Sequence, residues 1–216
     1  MKLSNSKVSS MKKVIAFSLW GNNPKYTIGA IKNSILAKEY YPGWTARFYV
    51  GTDVDESIIT SLKENDAEVL VMPEACDWTG MFWRFLAASD PEVDVMISRD
   101  TDSRLSLREK AAVDEWLMSD NQFHIMRDNP QHNTLILGGM WGTRGIILKN
   151  MSQLIDAYSK GNYWQIDQQF LRDVVYPLVR NSVMVHDEYF EKKPWPTPRI
   201  GNEFVGDSLD ENDVSL

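Results

Sequence analysis

From residue 14 to about residue 90, short runs of apolar residues alternate with stretches in which apolar side chains recur every three or four positions. The first rhythm is that of strands covered on both faces and the second that of helices with one covered side. Together they predict a parallel sheet with crossover helices. Residues 14–19 predict the first strand, ending at Trp20-Gly21. Asn22 or Asn23 then caps a helix with Pro24 in its first turn, and Ile28, Ile31 and Ile35 form its expected buried stripe. Residues 47–51 predict a second strand, Ile58, Ile59 and Leu62 the apolar face of a second helix, and residues 68–72 a third strand.

The second half opens with a short aromatic helix over residues 81–88, followed by the apolar run Val93, Val95, Met96 and Ile97. Ser106 with Glu109 three residues on reads as a capping box, ahead of a helix whose apolar face is Val113, Trp116 and Leu117. Residues 123–126 and 135–137 are strand candidates, the latter running into the turn Gly138-Gly139-Met140-Trp141-Gly142. Ile166, Phe170, Val174 and Leu178 then recur every four residues, which predicts one long amphipathic helix. Residues 183–185 predict the last strand, which delivers His186.

The chain has 216 residues, 43% of them hydrophobic, which suits one domain with a sizeable core. The elements divide it into a flexible arm (1–12), a domain over 13–198 with halves at 13–105 and 106–198, and an acidic flexible tail (199–216) in which Asp207, Asp210 and Asp213 are expected to be solvated. A net charge of -7 argues against a nucleic-acid partner, because phosphate backbones are held mainly by Lys and Arg. Cys76, the single cysteine, excludes an intramolecular disulfide. No run approaches the roughly 20 apolar residues of a membrane span, and no signal-peptide pattern follows Lys12 and Lys13, so the expected location is cytoplasmic. The sequence leaves the oligomeric state open.

Candidate chemistry starts at Asp100 and Asp102, where the fourth predicted strand enters a polar turn. Residues two apart point to the same side of a strand, so both carboxylates can reach one hard cation; alternatively they cap an acidic turn. His186 suits either a metal or a packed rim position. Lys192 and Lys193 follow in a loop, as diphosphate ligands or as solvated charges. Asp167-Gln168 opens a helix, as a substrate-facing pair or as a carboxylate placed for the helix dipole. Gly138 and Gly139 allow close backbone approach to a ligand or make a tight turn, Trp141 stacks on a sugar or packs in the core, and Arg84, among aromatics in Phe82-Trp83-Arg84-Phe85, pairs with a carboxylate or phosphate or snorkels to the surface.

In this order the motifs resemble a nucleotide-sugar glycosyltransferase of the GT-A type, closest to family 8 and to small viral and bacterial glycosyltransferase-like proteins. The resemblance rests on Phe82-Trp83-Arg84-Phe85, then Asp100-Thr101-Asp102, Gly138-Gly139-Met140, Asp167-Gln168, and His186 with Lys193-Pro194-Trp195, and it spans residues 14–195. Gln169 stands where the family carries a second acid, and Ser103-Arg104 replaces an apolar continuation.

The likeness implies an α/β fold with a mixed, mostly parallel sheet and a Rossmann-like first half. It implies a metal-dependent transferase using Mn²⁺ or Mg²⁺ and a UDP-sugar or GDP-sugar, with a carbohydrate or other hydroxyl acceptor. Asp100, Asp102 and His186 would hold the metal. Phe17, Ser18, Trp20, Arg84, Thr101, Lys192 and Lys193 would hold the donor, with Asp53 near the ribose. Gly138, Gly139, Met140 and Trp141 would line the acceptor side. Asp167, Gln168 and Asp128 are the expected catalytic residues, with Glu188 a further candidate base. The competing readings are a non-catalytic nucleotide-sugar or glycan binder, a sugar nucleotidyltransferase, and an Asp-x-Asp phosphohydrolase.

Overall fold

The computed structural model describes residues 11–73, 77–159 and 161–216; Cys76 and the first ten residues of the predicted arm lie outside them. Seven strands make one sheet in the order β3-β2-β1-β4-β6-β5-β7. The chain runs β1 (Lys13–Leu19), α1 (Pro24–Tyr40), β2 (Trp44–Val50), α2 (Glu56–Glu64), β3 (Glu68–Val71), a 3-10 helix (Trp78–Ala88), β4 (Val95–Ser98) and α3 (Leu107–Met118). It continues through β5 (Phe123–Arg127), β6 (Trp141–Arg144), α4 (Met151–Ala157), α5 (Ile166–Phe170), a π-helical turn (Leu171–Val175), α6 (Tyr176–Val179) and β7 (Val183–Asp187). Among the described residues only strand β6 runs against its neighbours; β1, β2, β3, β4, β5 and β7 are parallel to one another. The mixed, mostly parallel α/β sheet expected of a GT-A type domain is therefore observed. From β1 the order grows outward through β2 to β3, and from β4 it grows the other way. The carboxyl ends of β1 and β4 thus flank the switch point where ligands bind in open α/β sheets.

β1 is apolar without alternation because both its faces are covered. Val14 and Ala16 join a core with Phe82, Phe85, Phe123, Trp141 and Phe170 on one side. Ile15, Phe17 and Leu19 join Phe48, Val50, Leu62 and Trp116 on the other. The predicted cap of α1 is present, since Asn23 accepts the amide of Lys25 at 3.0 Å. Its predicted stripe is covered only in part, with Ile28 half-buried and Ile31 half-buried against the core. The buried side of α1 is Thr27, Gly29, Ala30, Asn33, Ser34 and Ala37, while Ile35 is exposed. Small residues are required there because a Cβ on Gly29 would stand 2.0 Å from the carbonyl oxygen of Thr101. Asn33 completes the contact by donating to the carbonyls of Thr101 (3.3 Å) and Ser103 (2.7 Å) and accepting the amide of Leu105 (3.1 Å). α1 is thereby clamped to the loop that carries Asp100 and Asp102.

Three other expectations change. Residues 135–137 form no strand, and Trp141-Gly142 belongs to β6 rather than to a turn. The predicted long helix is broken by its π-helical turn. Pro177 has no N–H and its ring crowds the carbonyl of Asp173 inside that turn, so the covered face passes from Val174 and Leu178 to Leu171, Val175 and Val179. The predicted flexible tail instead packs on the body. Val205 is buried against Ala112, Met126 and Met140, and Asp213 takes Lys32 (2.6 Å) and Arg104 (2.8 Å). Asp210 accepts the amides of Asn212 and Val214, and Asp207 accepts the Ser215 hydroxyl. No helix among the described residues is long and apolar enough to cross a membrane.

Candidate functional site

The 3-10 helix winds about three residues per turn, which sends Phe82 and Phe85 into the core and brings Met81 and Arg84 to a common face. Phe82 and Phe85 meet edge-on at 5.9 Å and both pack on Phe170. Its position over the sheet is fixed by the amide of Arg84, which donates to Ser18 Oγ at the end of β1 (3.0 Å). The buried Arg84 guanidinium donates to Asp100 Oδ1, to Asp167 Oδ2 (3.0 Å) and to the carbonyl of Arg99 (3.2 Å). One arginine thus joins the loop after β4 to the start of α5. Burial holds the Asp167 carboxyl above the usual carboxylate range, opposed by Arg84 and reinforced by the Asp100 charge.

Gly138 and Gly139 are accounted for by the same cluster. A Cβ on Gly138 would lie 2.1 Å from Asp167 Oδ2 and 2.5 Å from an Arg84 nitrogen; one on Gly139 would lie 1.9 Å from Asp100 Oδ2. The turn before β6 therefore closes directly onto both carboxylates. Arg84, Asp100, Gly138 and Asp167, together with Met81, His132, Leu137, Met140, Trp164, Gln165, Gln168 and Gly206, line a cavity of about 170 Å³. That is smaller than the roughly 300–1,000 Å³ of pockets enclosing whole small molecules, so it admits one part of a larger substrate. A second groove of about 940 Å³ lies between α1, the start of α3 and the C-terminal segment, with a largely apolar lining. It is larger, but its Asp213 is held by Lys32 and Arg104, so the chemistry gathers in the smaller cavity.

Asp102 sits beside this cluster, though its partners differ. Oδ2 accepts from Lys25 Nζ and Ser208 Oγ, each at 2.9 Å, and the carbonyl accepts the amide of Leu209 at 2.7 Å. Thr101 is buried and acts through its carbonyl on α1. His186 does not join the pair. β7 is three strands from β4, roughly 14 Å at the usual strand spacing. Its ring nitrogens are engaged by His124 (2.7 Å) and Glu115 (3.0 Å). With Nε2–H donating to Glu115, Nδ1 accepts from His124, whose own Nδ1 is buried without a partner. Burial lowers the pKa of both histidines. Among the described residues no three His, Cys, Asp or Glu side chains converge as a metal site. Asp100, Asp102 and His186 thus do not form the predicted triad, and the two carboxylates that remain are each paired with a cation, an arrangement that does not suit the expected Mn²⁺ or Mg²⁺.

Other predicted positions are also corrected. Asp128 is fully buried between Arg108 (3.0 and 2.9 Å) and Arg199 (2.9 Å) and accepts the amide of Val205, so it is structural and has no path to a substrate proton. Glu188 is held by the same two arginines. Phe17 stacks on Phe48 at 4.6 Å, inside the core and away from the cavity. Trp141 is buried, stacked on Phe123 at 5.3 Å, and offers no face to a sugar. Lys192 and Lys193 are exposed in a loop anchored to the edge strand β7, where Asp187 accepts the amides of Tyr189, Phe190 and Glu191. Trp20 stays half-buried at the end of β1, edge-on to Trp83, and Asp53 is exposed nearby.

Sequence reasoning missed Lys25, His132, Trp164 and Gly206. The Asp128 amide donates to His132 Nδ1 (3.0 Å), so its proton sits on Nε2, and burial lowers its pKa to about 4. Trp164 is exposed at the cavity mouth, the location a sugar-stacking ring requires. Lone residues of these kinds carry no motif, so no sequence signal marked them.

No protein-family model and no curated protein sequence matches the chain. Solved structures do. A glycosyltransferase involved in the glycosylation of the major capsid of PBCV-1 superposes with a TM-score of 0.54 at 18% identity, covering 85% of this chain and 90% of that one. Glucosyl-3-phosphoglycerate synthase from Mycobacterium tuberculosis, in complex with Mn²⁺, UDP-glucose and phosphoglyceric acid, gives 0.51 at 15% identity, over 82% of this chain and 69% of that one. At these identities the likeness establishes a shared fold.

Proposed function

We propose that the chain is a glycosyltransferase that moves a sugar from a nucleoside diphosphate sugar, UDP-linked before GDP-linked, to a hydroxyl acceptor on a carbohydrate or other small molecule. The observation that carries this reading is Arg84, buried at the β1–β4 switch point and bridging Asp100 and Asp167 beneath a cavity. Support also comes from the two structural neighbours, one a glycosyltransferase and the other holding UDP-glucose. The family 8 assignment and the specific acceptor remain proposals on the sequence motifs alone.

In this reading the nucleotide lies over the ends of β1 and β2, near Trp20 and Asp53, and the sugar enters the cavity. Asp100 and Asp167 accept from sugar hydroxyls while Arg84 holds both carboxylates in place. The Gln168 amide and the His132 Nε2–H offer neutral hydrogen bonds to the reacting face, and Trp164 covers the ring. His186 is remote from the pair, and Asp102 Oδ2 already takes Lys25 and Ser208. A sugar nucleotidyltransferase is disfavoured by the turn after β1, where Asn22 is tied to Asp53 and Asp55 rather than forming a glycine-rich phosphate loop.

The test is a panel of UDP- and GDP-sugars in which release of free nucleotide diphosphate is followed for the unaltered chain and for Asp167→Asn. Slow donor hydrolysis that falls by about tenfold or more in the variant is expected, as for loss of a charge-assisted contact. Tight binding with no turnover on any donor or acceptor would instead favour the non-catalytic binder.

A further inference from the structure

The Asp-x-Asp pair carries its own counter-charges. Asp100 Oδ1 is taken by Arg84, and its Oδ2 faces Gly139 so closely that no Cβ would fit. Asp102 Oδ2 receives Lys25 Nζ and Ser208 Oγ, so an ammonium lies 2.9 Å from one of its two carboxylate oxygens. Lys25 stands in the first turn of α1, whose amino end opens on the same sheet edge. Its side chain and that of Asp102 are both about one-fifth exposed, at 22% and 18%, so an incoming anion can reach the pair. An ammonium has three donors on a flexible stem; one can stay on Asp102 while the others turn to phosphate oxygens. The first turn of α1 adds positive potential at the same place.

We infer that Lys25, oriented by Asp102, is the cation that meets the departing diphosphate, and that this site binds its donor without a divalent metal. The inference rests on the nucleotide-sugar reading above. In the transfer, the bond from the anomeric carbon to the diphosphate oxygen breaks with its electron pair going to that oxygen, where Lys25 stabilises the charge. The anomeric carbon bonds to the acceptor oxygen, whose proton leaves to solvent or to the released diphosphate.

Calorimetric titration of UDP and of GDP, each in EDTA and in Mn²⁺, tests this on the unaltered chain and on Lys25→Met. The expected result is that the nucleotide which binds does so with affinities in EDTA and Mn²⁺ that agree within about threefold, and that Lys25→Met weakens it by about tenfold or more. Binding that appears only with Mn²⁺, or Lys25→Met binding like the unaltered chain in EDTA, would overturn the assignment and leave the transferase reading standing. Absence of binding by either nucleotide under both conditions would overturn both. Should Lys25→Met fail to fold, the EDTA and Mn²⁺ comparison on the unaltered chain decides alone.

Discussion

His132 shows how a single side chain can tie the site to the stability of the whole. Burial depresses its pKa from the ordinary value near 6.5 to about 4, with Asp128 and Asp187 opposing and Arg199 assisting. The folded state therefore binds fewer protons than the unfolded one. The associated stability is complete above about pH 6.5 and is lost as the pH falls toward 4, by ~3 kcal/mol in all. His124 and His186, also lowered by burial, act in the same direction. Urea unfolding of the unaltered chain and of His132→Gln between pH 7 and 4 should show the former losing ~3 kcal/mol more than the latter; parallel curves would contradict the assignment. None of this was legible in the sequence, because His132 stands among polar loop residues and its burial comes from Phe204, some seventy positions away. Asp100, Arg84, Gly138, Gly139, Asp167 and Gln168 were legible, since a strand exit, a charge among aromatics and a double glycine each leave a local mark. His186 carried the same kind of mark and misled, because adjacency to a strand says nothing of which strand lies next to it.

At the scale of elements, caps and strands followed from local chemistry, whereas covered faces depended on what each element meets. The Asn23 cap and the strands through β4 agree with the apolar pattern. The face of α1 does not, since a helix pressed against a loop backbone needs small residues and a polar Asn33, and no periodicity of large side chains records that. The C-terminal segment was misread for a related reason. Its acidic composition suggests a solvated tail, yet the body supplies Lys32 and Arg104 as partners for Asp213 and a slot for Val205. Ser208 and Leu209 reach Asp102, and Gly206 lines the cavity, so the segment belongs to the site. Truncation after residue 201 is expected to cost about 2 kcal/mol or more, from the loss of buried Val205 alone. A urea midpoint unchanged by the truncation would show that the segment contributes nothing to the folded body.

For the molecule as a whole, topology decides where chemistry gathers. Six parallel strands place the loops after β1, β4 and β5 on one edge, and the single antiparallel strand β6 brings its preceding glycine turn to that edge as well. The alternation of strand and helix made the sheet legible, but the reversal at β6 was not, because the apolar run at 135–137 drew the strand there and Trp141-Gly142 read as a turn. Under the proposed function, a nucleotide sugar places its sugar in the cavity over Arg84, Asp100 and Asp167. Met81 and Met140 line that cavity, whereas Met11 and Met118 are exposed elsewhere. Methyl-selective NMR of the methionine-labelled chain during titration with a nucleotide sugar locates the ligand directly. Saturable shifts of the Met81 and Met140 methyls are expected with Met11 and Met118 unmoved; saturation that leaves Met81 and Met140 in place would place the sugar elsewhere.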